Sequence, residues 1–212
     1  MDEQTGFGSL TLQGFLARLA DGDPTPGGGT ASAVAGSMGA ALVVMVTGLT
    51  LGRKKYRDVH DEVQAWAEEA ALLQEELRDL ADEDSEAFNQ VMTALRMPRD
   101  SDRHRKARTR ALEAATRQAT EVPRQVLRRC LRVLQLAVEL VRVGNDNAVS
   151  DALVGGEVAA SGVRGAIANV MINLGSLADD GYRSEAADEV DRIQDQVSDL
   201  LDDLRAAAAE RM

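Results

Sequence analysis

The sequence predicts an all-α protein, a bundle of five to seven helices that includes several long ones, in one domain spanning residues 1–212. Aromatic residues make up only 3% of the chain, whereas Ala, Val and Leu are abundant. Such small and aliphatic side chains suit close-packed helices better than a β-sandwich. Only four prolines interrupt the sequence. No strand-like alternation or hairpin signal is present, and no linker divides the chain.

The first helix is predicted at about residues 9–20, where apolar residues recur at helical spacing. Ser9 or Thr11 is a suitable N-cap. Residues 21–29, DGDPTPGGG, then break the pattern with two prolines and three consecutive glycines. Thr30 is the predicted N-cap of the next helix.

Residues 30–51 carry no charge, and as a helix they would be about 33 Å long. That length is enough to cross a bilayer. However, the segment is rich in Gly, Ala, Ser and Thr, whose small side chains let helices approach closely. We therefore predict a small-residue-rich central helix, buried by its neighbours or by another subunit, and no membrane association.

Later helices are predicted from amphipathic periodicity, with Pro98 closing the first of them and Pro123 a kink or break in the second. Two of the predicted helices are nearly uncharged, and together they have more apolar surface than a single protomer can cover. A homodimer is therefore expected. The predicted later helices span about residues 59–95, 101 to beyond 140 (ended by Gly144 and Asn145), 147–178 and 183–208.

The net charge of −11 argues against a general nucleic-acid-binding protein, which requires a basic face. The single cysteine, Cys130, cannot form an internal disulfide, which fits a reducing cytoplasm. Residues 1–10 lack the basic and apolar regions of a signal peptide, so we expect a cytoplasmic protein. No spacing of His, Cys and carboxylate residues resembles a metal site.

The first candidate site is the PTPGGG segment, Pro24–Gly29, which opens onto a helix N-terminus. Unpaired N–H groups at such a terminus favour an anion or a polar ring, and glycines let a ligand approach the backbone. A tight turn that permits close helix packing is an equal alternative.

Charged residues provide two further candidates. Lys54 and Lys55 follow Arg53 and are either a solvated helix end or a site for a polyanionic tail. Asp84 belongs to an acidic stretch, yet it precedes Phe88 by four residues and so shares an apparently core-facing side of its helix. A carboxylate there is unfavourable unless it is paired or used. A basic run at residues 103–110 is interpreted as a solvated face.

Amide side chains form the last group of candidates. Asn147 and Asp151 are four residues apart and share a helix face, as do Asn169 and Asn173. Buried amides either form a hydrogen-bonded network between helices or recognise a heterocycle, since they both donate and accept.

Three blocks of the sequence are familiar together. They are FLARLADGDPTPGGGTASAVAGSMGAALVVMVTGLTLGRKKY (15–56), EDSEAFNQVMTALRMPRD (83–100) and GNDNAVSDALVGGEVAASGVRGAIANVMINL (144–174). In this order they resemble the formiminotetrahydrofolate cyclodeaminase/methenyltetrahydrofolate cyclohydrolase family. The chain departs from the family pattern at Leu153, Met171 and Arg99.

The resemblance implies an all-α homodimer that binds a tetrahydrofolate derivative, possibly polyglutamylated, near the glycine-rich segment. It implies a cyclohydrolase that opens 5,10-methenyltetrahydrofolate to the 10-formyl compound. The lack of a fused transferase favours this reaction over the alternatives. The alternatives are a cyclodeaminase that releases ammonia from the formimino compound and an inactive helical folate-binding or scaffold protein. No cofactor beyond the tetrahydrofolate substrate is expected.

Both reactions require proton transfer at a carbon flanked by two nitrogens, which a positioned carboxylate can perform. The expected catalytic residue is Asp151, with Asp84 second. The glutamate tail is assigned to Lys54 or Lys55. The pterin ring is assigned to the loop of Pro26, Gly27, Gly28 and Gly29 and to an amide, Asn147 or Asn173.

Overall fold

The structure is a computed structural model that describes residues 6–212. The segment 1–10 was tested above for signal-peptide features, and its first five residues lie outside the described range. Within it the chain forms six α-helices, joined by loops and short 3₁₀ turns, and no strands. The predicted all-α bundle is confirmed. The helices are α1 (Leu12–Leu19), α2 (Gly28–Leu51), α3 (His60–Leu95), α4 (Asp102–Val143), α5 (Val149–Leu174) and α6 (Asp180–Arg211).

One local prediction is wrong, and one alternative of another is excluded. α2 begins at Gly28, with Gly27 at the N-cap position, so Thr30 lies inside the first turn and is not the cap. Its hydroxyl contacts α3 instead. Of the two alternatives predicted at Pro123, the break is excluded, because α4 continues to Val143. Proline removes one backbone donor, but packing of α4 against α2, α3, α5 and α6 holds the helix together.

The central position of the small-residue-rich α2 is confirmed, because α2 packs against α3, α4 and α5. α2 and α5 run antiparallel and nearly touch backbone to backbone. A Cβ on Gly162 would lie only 2.8 Å from the Ser32 carbonyl oxygen and 2.9 Å from the Cys130 sulfur. The Cys130 thiol is fully buried below this contact, and burial raises its pKa to about 12. A side chain larger than hydrogen therefore does not fit at position 162, where α5 crosses α2.

The outer face of α2 is exposed within a single chain. Met38, Met45 and Leu49 are 55%, 42% and 45% exposed. They lie on one side of the helix at spacings of seven and four residues. α2 is the one helix among residues 6–212 that is long and apolar enough to cross a bilayer by length and composition.

α6 is held on α4 by a cluster of charges centred on the buried Arg124. Arg124 is 3% exposed, and its guanidinium donates to Glu189 and Glu185 at 2.8 Å each. Arg128 also donates to Glu189, at 2.6 Å and 2.8 Å. A buried charge is tolerated when its hydrogen bonds are satisfied in this way. The cluster fixes the register of α6 against α4.

We predict that Gly162→Ala destabilises the protein by about 1–3 kcal/mol, because the new methyl group must push α2 away from α5. Gly181→Ala is the matched control, since a Cβ there meets only Asp179 at an ordinary 3.4 Å on exposed α6. That variant should be neutral or stabilised by less than about 1 kcal/mol. Urea unfolding of both variants measures the difference. Equal stability of the two variants would contradict the close-packing argument.

Candidate active site

The glycine-rich segment, residues 24–29, bends the chain into the first turn of α2. Its Thr25–Pro26 peptide is cis, and Pro26 is buried. The N-terminus of α2 has no side-chain cap. Gly28 is exposed there, so backbone N–H groups are available to a ligand.

Asp84 of α3 lies directly against this turn. A Cβ on Gly29 would come within 2.2 Å of one Asp84 carboxylate oxygen and 2.7 Å of the other, so only glycine fits. The Thr30 hydroxyl donates to Asp84 Oδ2 at 2.9 Å. Ser85 extends the polar cluster, with its Oγ 3.3 Å from the Thr30 hydroxyl. α2 and α3 therefore hold the carboxylate at the edge of the glycine turn.

Burial of Asp84 raises the pKa of its carboxyl above the ordinary value, and hydrogen bonds from the Thr30 side chain and backbone only partly oppose this shift. The partial positive charge of a helix N-terminus also favours the ionised form. Removal from water nevertheless dominates. A half-buried carboxyl with a raised pKa beside a cleft is typical of a general acid or base.

A cleft of about 560 Å³ opens beside the glycine turn. Thr25 and Ser85, the neighbours of Pro26 and Asp84, both line it. The volume falls in the range of small-molecule sites. Most residues that line the cleft were not predicted from the sequence. Asp82, Glu86 and Asn89 are spaced by four and three residues, which places them on one face of a helix, and this spacing could have identified them. The other lining residues are Gly6, Phe7, Arg18 and Gln90.

Of the two amides on α5, Asn169 is the one next to the glycine turn. The Asn169 Nδ2 donates to the Gly165 carbonyl at 2.8 Å. A Cβ added to Gly28 would lie 3.9 Å from the same atom. Asn173 donates to the Ala119 carbonyl of α4 at 2.7 Å. Asn173 is therefore already used in a contact between helices, and Asn169 is the better placed amide.

The remaining predicted residues lie at the other end of α2. Lys54 is exposed, whereas Lys55 forms an ion pair with Asp146 that Arg211 shares. These cations lower the pKa of the Asp146 carboxyl to about 2, mainly through the Lys55 hydrogen bond. Asn147 is exposed in the turn between α4 and α5.

Asp151 lies in the first turn of α5 and is half-buried. Among the described residues it has no hydrogen-bonded partner for its side chain. The 24 residues of α2 separate this end from Gly28 by about 36 Å. Within one chain, Asp151, Asn147 and the two lysines therefore do not share a pocket with the glycine turn and Asp84.

No group of three or more His, Cys, Asp or Glu side chains between residues 6 and 212 is arranged to hold a metal ion. The side chains that line the cleft supply two carboxylates, a guanidinium, hydroxyls and amides.

Comparison with known proteins identifies relatives along almost the whole chain. Residues 11–192 match the family described as formiminotransferase-cyclodeaminase. A methenyltetrahydrofolate cyclohydrolase of Methylorubrum extorquens is 39% identical over 186 residues, which cover 88% of this chain and 89% of that protein. The formimidoyltransferase-cyclodeaminase of Rattus norvegicus is 29% identical over 94% of this chain, which spans only 36% of the rat protein.

The fold also matches a crystal structure, that of formiminotetrahydrofolate cyclodeaminase from Thermotoga maritima. The TM-score is 0.87 at 29% sequence identity, and the match covers 96% of this chain and 98% of the other.

We predict that Asp84→Asn makes the protein more stable than wild type at pH 7. A carboxyl whose pKa is raised by folding stabilises the folded state below its unfolded pKa of about 4 and loses that contribution as the pH rises through the folded pKa. Asn mimics the protonated form, so the difference should vanish at acidic pH. Urea unfolding at both pH values measures it. A wild type that is the more stable protein at pH 7 would mean that the carboxylate is stabilised by its surroundings.

Proposed function

The chain belongs to the formiminotransferase-cyclodeaminase family, and we propose that it is a one-carbon enzyme that hydrolyses 5,10-methenyltetrahydrofolate to 10-formyltetrahydrofolate. The relative from Methylorubrum extorquens supports this reaction, because its name is that of the cyclohydrolase and the similarity covers 89% of its length. The observation that supports the site is the Asp84 carboxyl held against Gly29, next to Ser85, which lines the cleft.

The reaction adds water to a carbon bonded to N5 and N10 of the folate. A water oxygen attacks this cationic carbon, and a base takes one water proton. The hydroxyl of the tetrahedral intermediate then gives up its proton to form the formyl C=O as the bond to N5 breaks, N5 accepts a proton in exchange, and the carbon remains on N10 as a formyl group. One proton is released overall, so the base must return to its ionised form in each cycle.

Asp84 is the proposed base. Its raised pKa brings proton affinity closer to neutrality, which improves a carboxylate as a proton acceptor. The Thr30 hydroxyl, 2.9 Å from Oδ2, orients the carboxylate. Asp151 stays a sequence-based candidate, but it lies at the other end of α2 from the cleft.

The pterin ring is proposed to bind against the glycine turn, Pro26 and Gly27 to Gly29. The backbone N–H groups of the turn suit a ring that carries hydrogen-bond acceptors. Asn169, beside Gly28, offers a side-chain amide oxygen as a further acceptor. Asn147 and Asn173, predicted for this role from sequence, are replaced in the proposal by Asn169. We propose no cofactor beyond the folate itself.

The cyclodeaminase reaction is the second candidate, and the fold match at a TM-score of 0.87 favours it. In that reaction N10 attacks a formimino carbon carried on N5, and ammonia leaves. The same carboxyl would transfer the proton. The third candidate, a helical folate-binding or scaffold protein without turnover, would keep the cleft and lack activity.

An absorbance assay for the methenyl compound distinguishes these candidates. Enzyme-dependent loss of methenyltetrahydrofolate, above the uncatalysed ring opening, supports the cyclohydrolase. Enzyme-dependent appearance of it from the formimino compound, with ammonia release, supports the cyclodeaminase. Absence of both reactions would refute the enzymatic proposal and leave the binding protein.

Asp84→Asn is expected to lower kcat by about 10²–10⁴-fold if Asp84 is the general base. In wild type, kcat should fall as the pH drops through the raised pKa, because the protonated carboxyl cannot accept a proton. Glu83→Gln is the matched control, since Glu83 is the exposed neighbour on α3 and has no partner among the described residues. Full activity of Asp84→Asn would contradict the assignment of Asp84 as the base. If Asp151→Asn instead showed the loss of kcat expected for Asp84→Asn, the site would lie at the other end of α2.

We also propose that the protein works as a cytoplasmic homodimer whose interface includes the outer stripe of α2. Met38, Met45 and Leu49 support this assignment, because a contiguous apolar stripe on a charged protein is a common contact surface.

Met45→Glu should convert the dimer into a monomer, because it places an unpaired charge in an apolar contact. Light scattering after gel filtration measures the mass. Leu72→Glu is the control, because Leu72 is 57% exposed on α3 and lies on the side of α3 opposite to Gln74, which contacts α2. A monomeric wild type would disprove the proposed interface.

A further inference from the structure

Asp84, the proposed base, is next to the cleft but does not line it, whereas the adjacent Ser85 does. The Asp84 carboxylate lies against Gly29, between the first turn of α2 and α3. A reacting water in the cleft can contact the Ser85 hydroxyl directly. General-base chemistry at this site therefore requires a path that takes a proton from the cleft to Asp84.

The buried hydroxyls of Thr30 and Ser85 provide such a path. Ser85 Oγ lies 3.3 Å from Thr30 Oγ1, and Thr30 Oγ1 donates to Asp84 Oδ2 at 2.9 Å. Thr30 is fully buried and Ser85 is 8% exposed, so bulk water does not compete for the contact between them. A separation of 3.3 Å is long for a hydrogen bond between hydroxyls, but such bonds between catalytic groups commonly tighten when the substrate binds.

The hydroxyl of Ser85 is free to take part, because its own helix does not use it. Hydroxyls inside the helices of this chain commonly donate to a carbonyl one turn back, as those of Thr50, Thr93 and Thr120 do. Ser85 forms no such bond within residues 6–212, and its hydroxyl contacts Thr30 instead. The Ser85 hydrogen is therefore available to Thr30.

The number of hydrogens fixes the direction of this chain of hydroxyls. Each hydroxyl has one hydrogen to donate. Because Thr30 donates its hydrogen to Asp84, the Thr30 oxygen can only accept at the other contact, so Ser85 donates to Thr30. The Ser85 oxygen then has lone pairs that can accept from a water in the cleft. Both donors point towards the carboxylate.

We propose that Ser85 and Thr30 form a proton relay that carries a proton from the reacting water in the cleft to Asp84. This inference rests on the proposed function. As the water oxygen bonds to the cationic carbon, the water gives one proton to Ser85, Ser85 gives its own to Thr30, and Thr30 gives its own to Asp84 Oδ2. Each hydroxyl gains one proton and loses one, and the carbon and the carboxylate both become neutral. The reversed chain later returns the proton to water in the cleft, which restores the ionised base.

Ser85→Ala tests the relay, because it removes the hydroxyl that faces the cleft and introduces a good helix former. For methenyltetrahydrofolate, kcat should fall about 10–10²-fold, which is part of the effect of general-base catalysis, and KM should change little. In mixtures of light and heavy water, kcat of wild type should vary with the deuterium fraction along a curve, because several protons move together. The curvature should be lost in Ser85→Ala. Ser161→Ala is the matched control, since it removes a hydroxyl from an exposed turn of α5.

Thr30 provides a second pair of variants. Thr30→Ser keeps the hydroxyl and should retain most of kcat and the curved isotope dependence. Thr30→Val has the same shape without the hydroxyl and should lose both. A lower kcat in Thr30→Val with the curvature unchanged would mean that Thr30 only orients Asp84, and would overturn the relay.

Two further results would also overturn the relay and leave Asp84 as a base that acts directly. They are a wild-type kcat in Ser85→Ala and a straight-line isotope dependence in the wild-type protein. Absence of turnover in wild type would instead refute the proposed function, and the relay with it.

Discussion

The close approach of α2 to its neighbours is the constraint on which the other features depend. Gly162 meets the Ser32 carbonyl, and Gly36 faces the Cys130 sulfur, so the helices can settle in one register only. That register brings the first turn of α2 to the middle of α3, where Gly29 meets Asp84. A larger residue at the crossing would change the position of the turn as well as the stability. Packing and the geometry of the candidate site are therefore set by the same small residues.

The helices were predictable because amphipathic periodicity and breakers act locally. Asp84 was also recognisable, since a carboxylate at a core-facing position is unfavourable without a use. The grouping of the candidates was not predictable, because it depends on helix direction. α2 and α5 are antiparallel, so Asn169 at the end of α5 meets Gly28, whereas Asn147 before the start of α5 lies near Lys55. Sequence spacing carries no information on that choice.

The electrostatics of the site reflect a competition between the helix terminus and burial. The N-terminus of α2 favours a negative charge close to it. Burial of Asp84 opposes that charge more strongly, so its pKa rises. By contrast Asp146, exposed between Lys55 and Arg211, has its pKa lowered. Two aspartates at opposite ends of α2 thus have pKa shifts of opposite direction, because burial dominates at one and neighbouring cations dominate at the other.

The buried thiol of Cys130, below the contact between α2 and α5, can report the local opening of these helices. Cys130 is the one cysteine in the sequence, and a pKa of about 12 keeps it in the unreactive protonated form. A thiol reagent can reach it only when α2 separates from α4 and α5. Its rate of modification under native conditions therefore reports the free energy of that local opening. No label has to be introduced, and ligands that bind the first turn of α2 can be ranked by how far they slow the reaction.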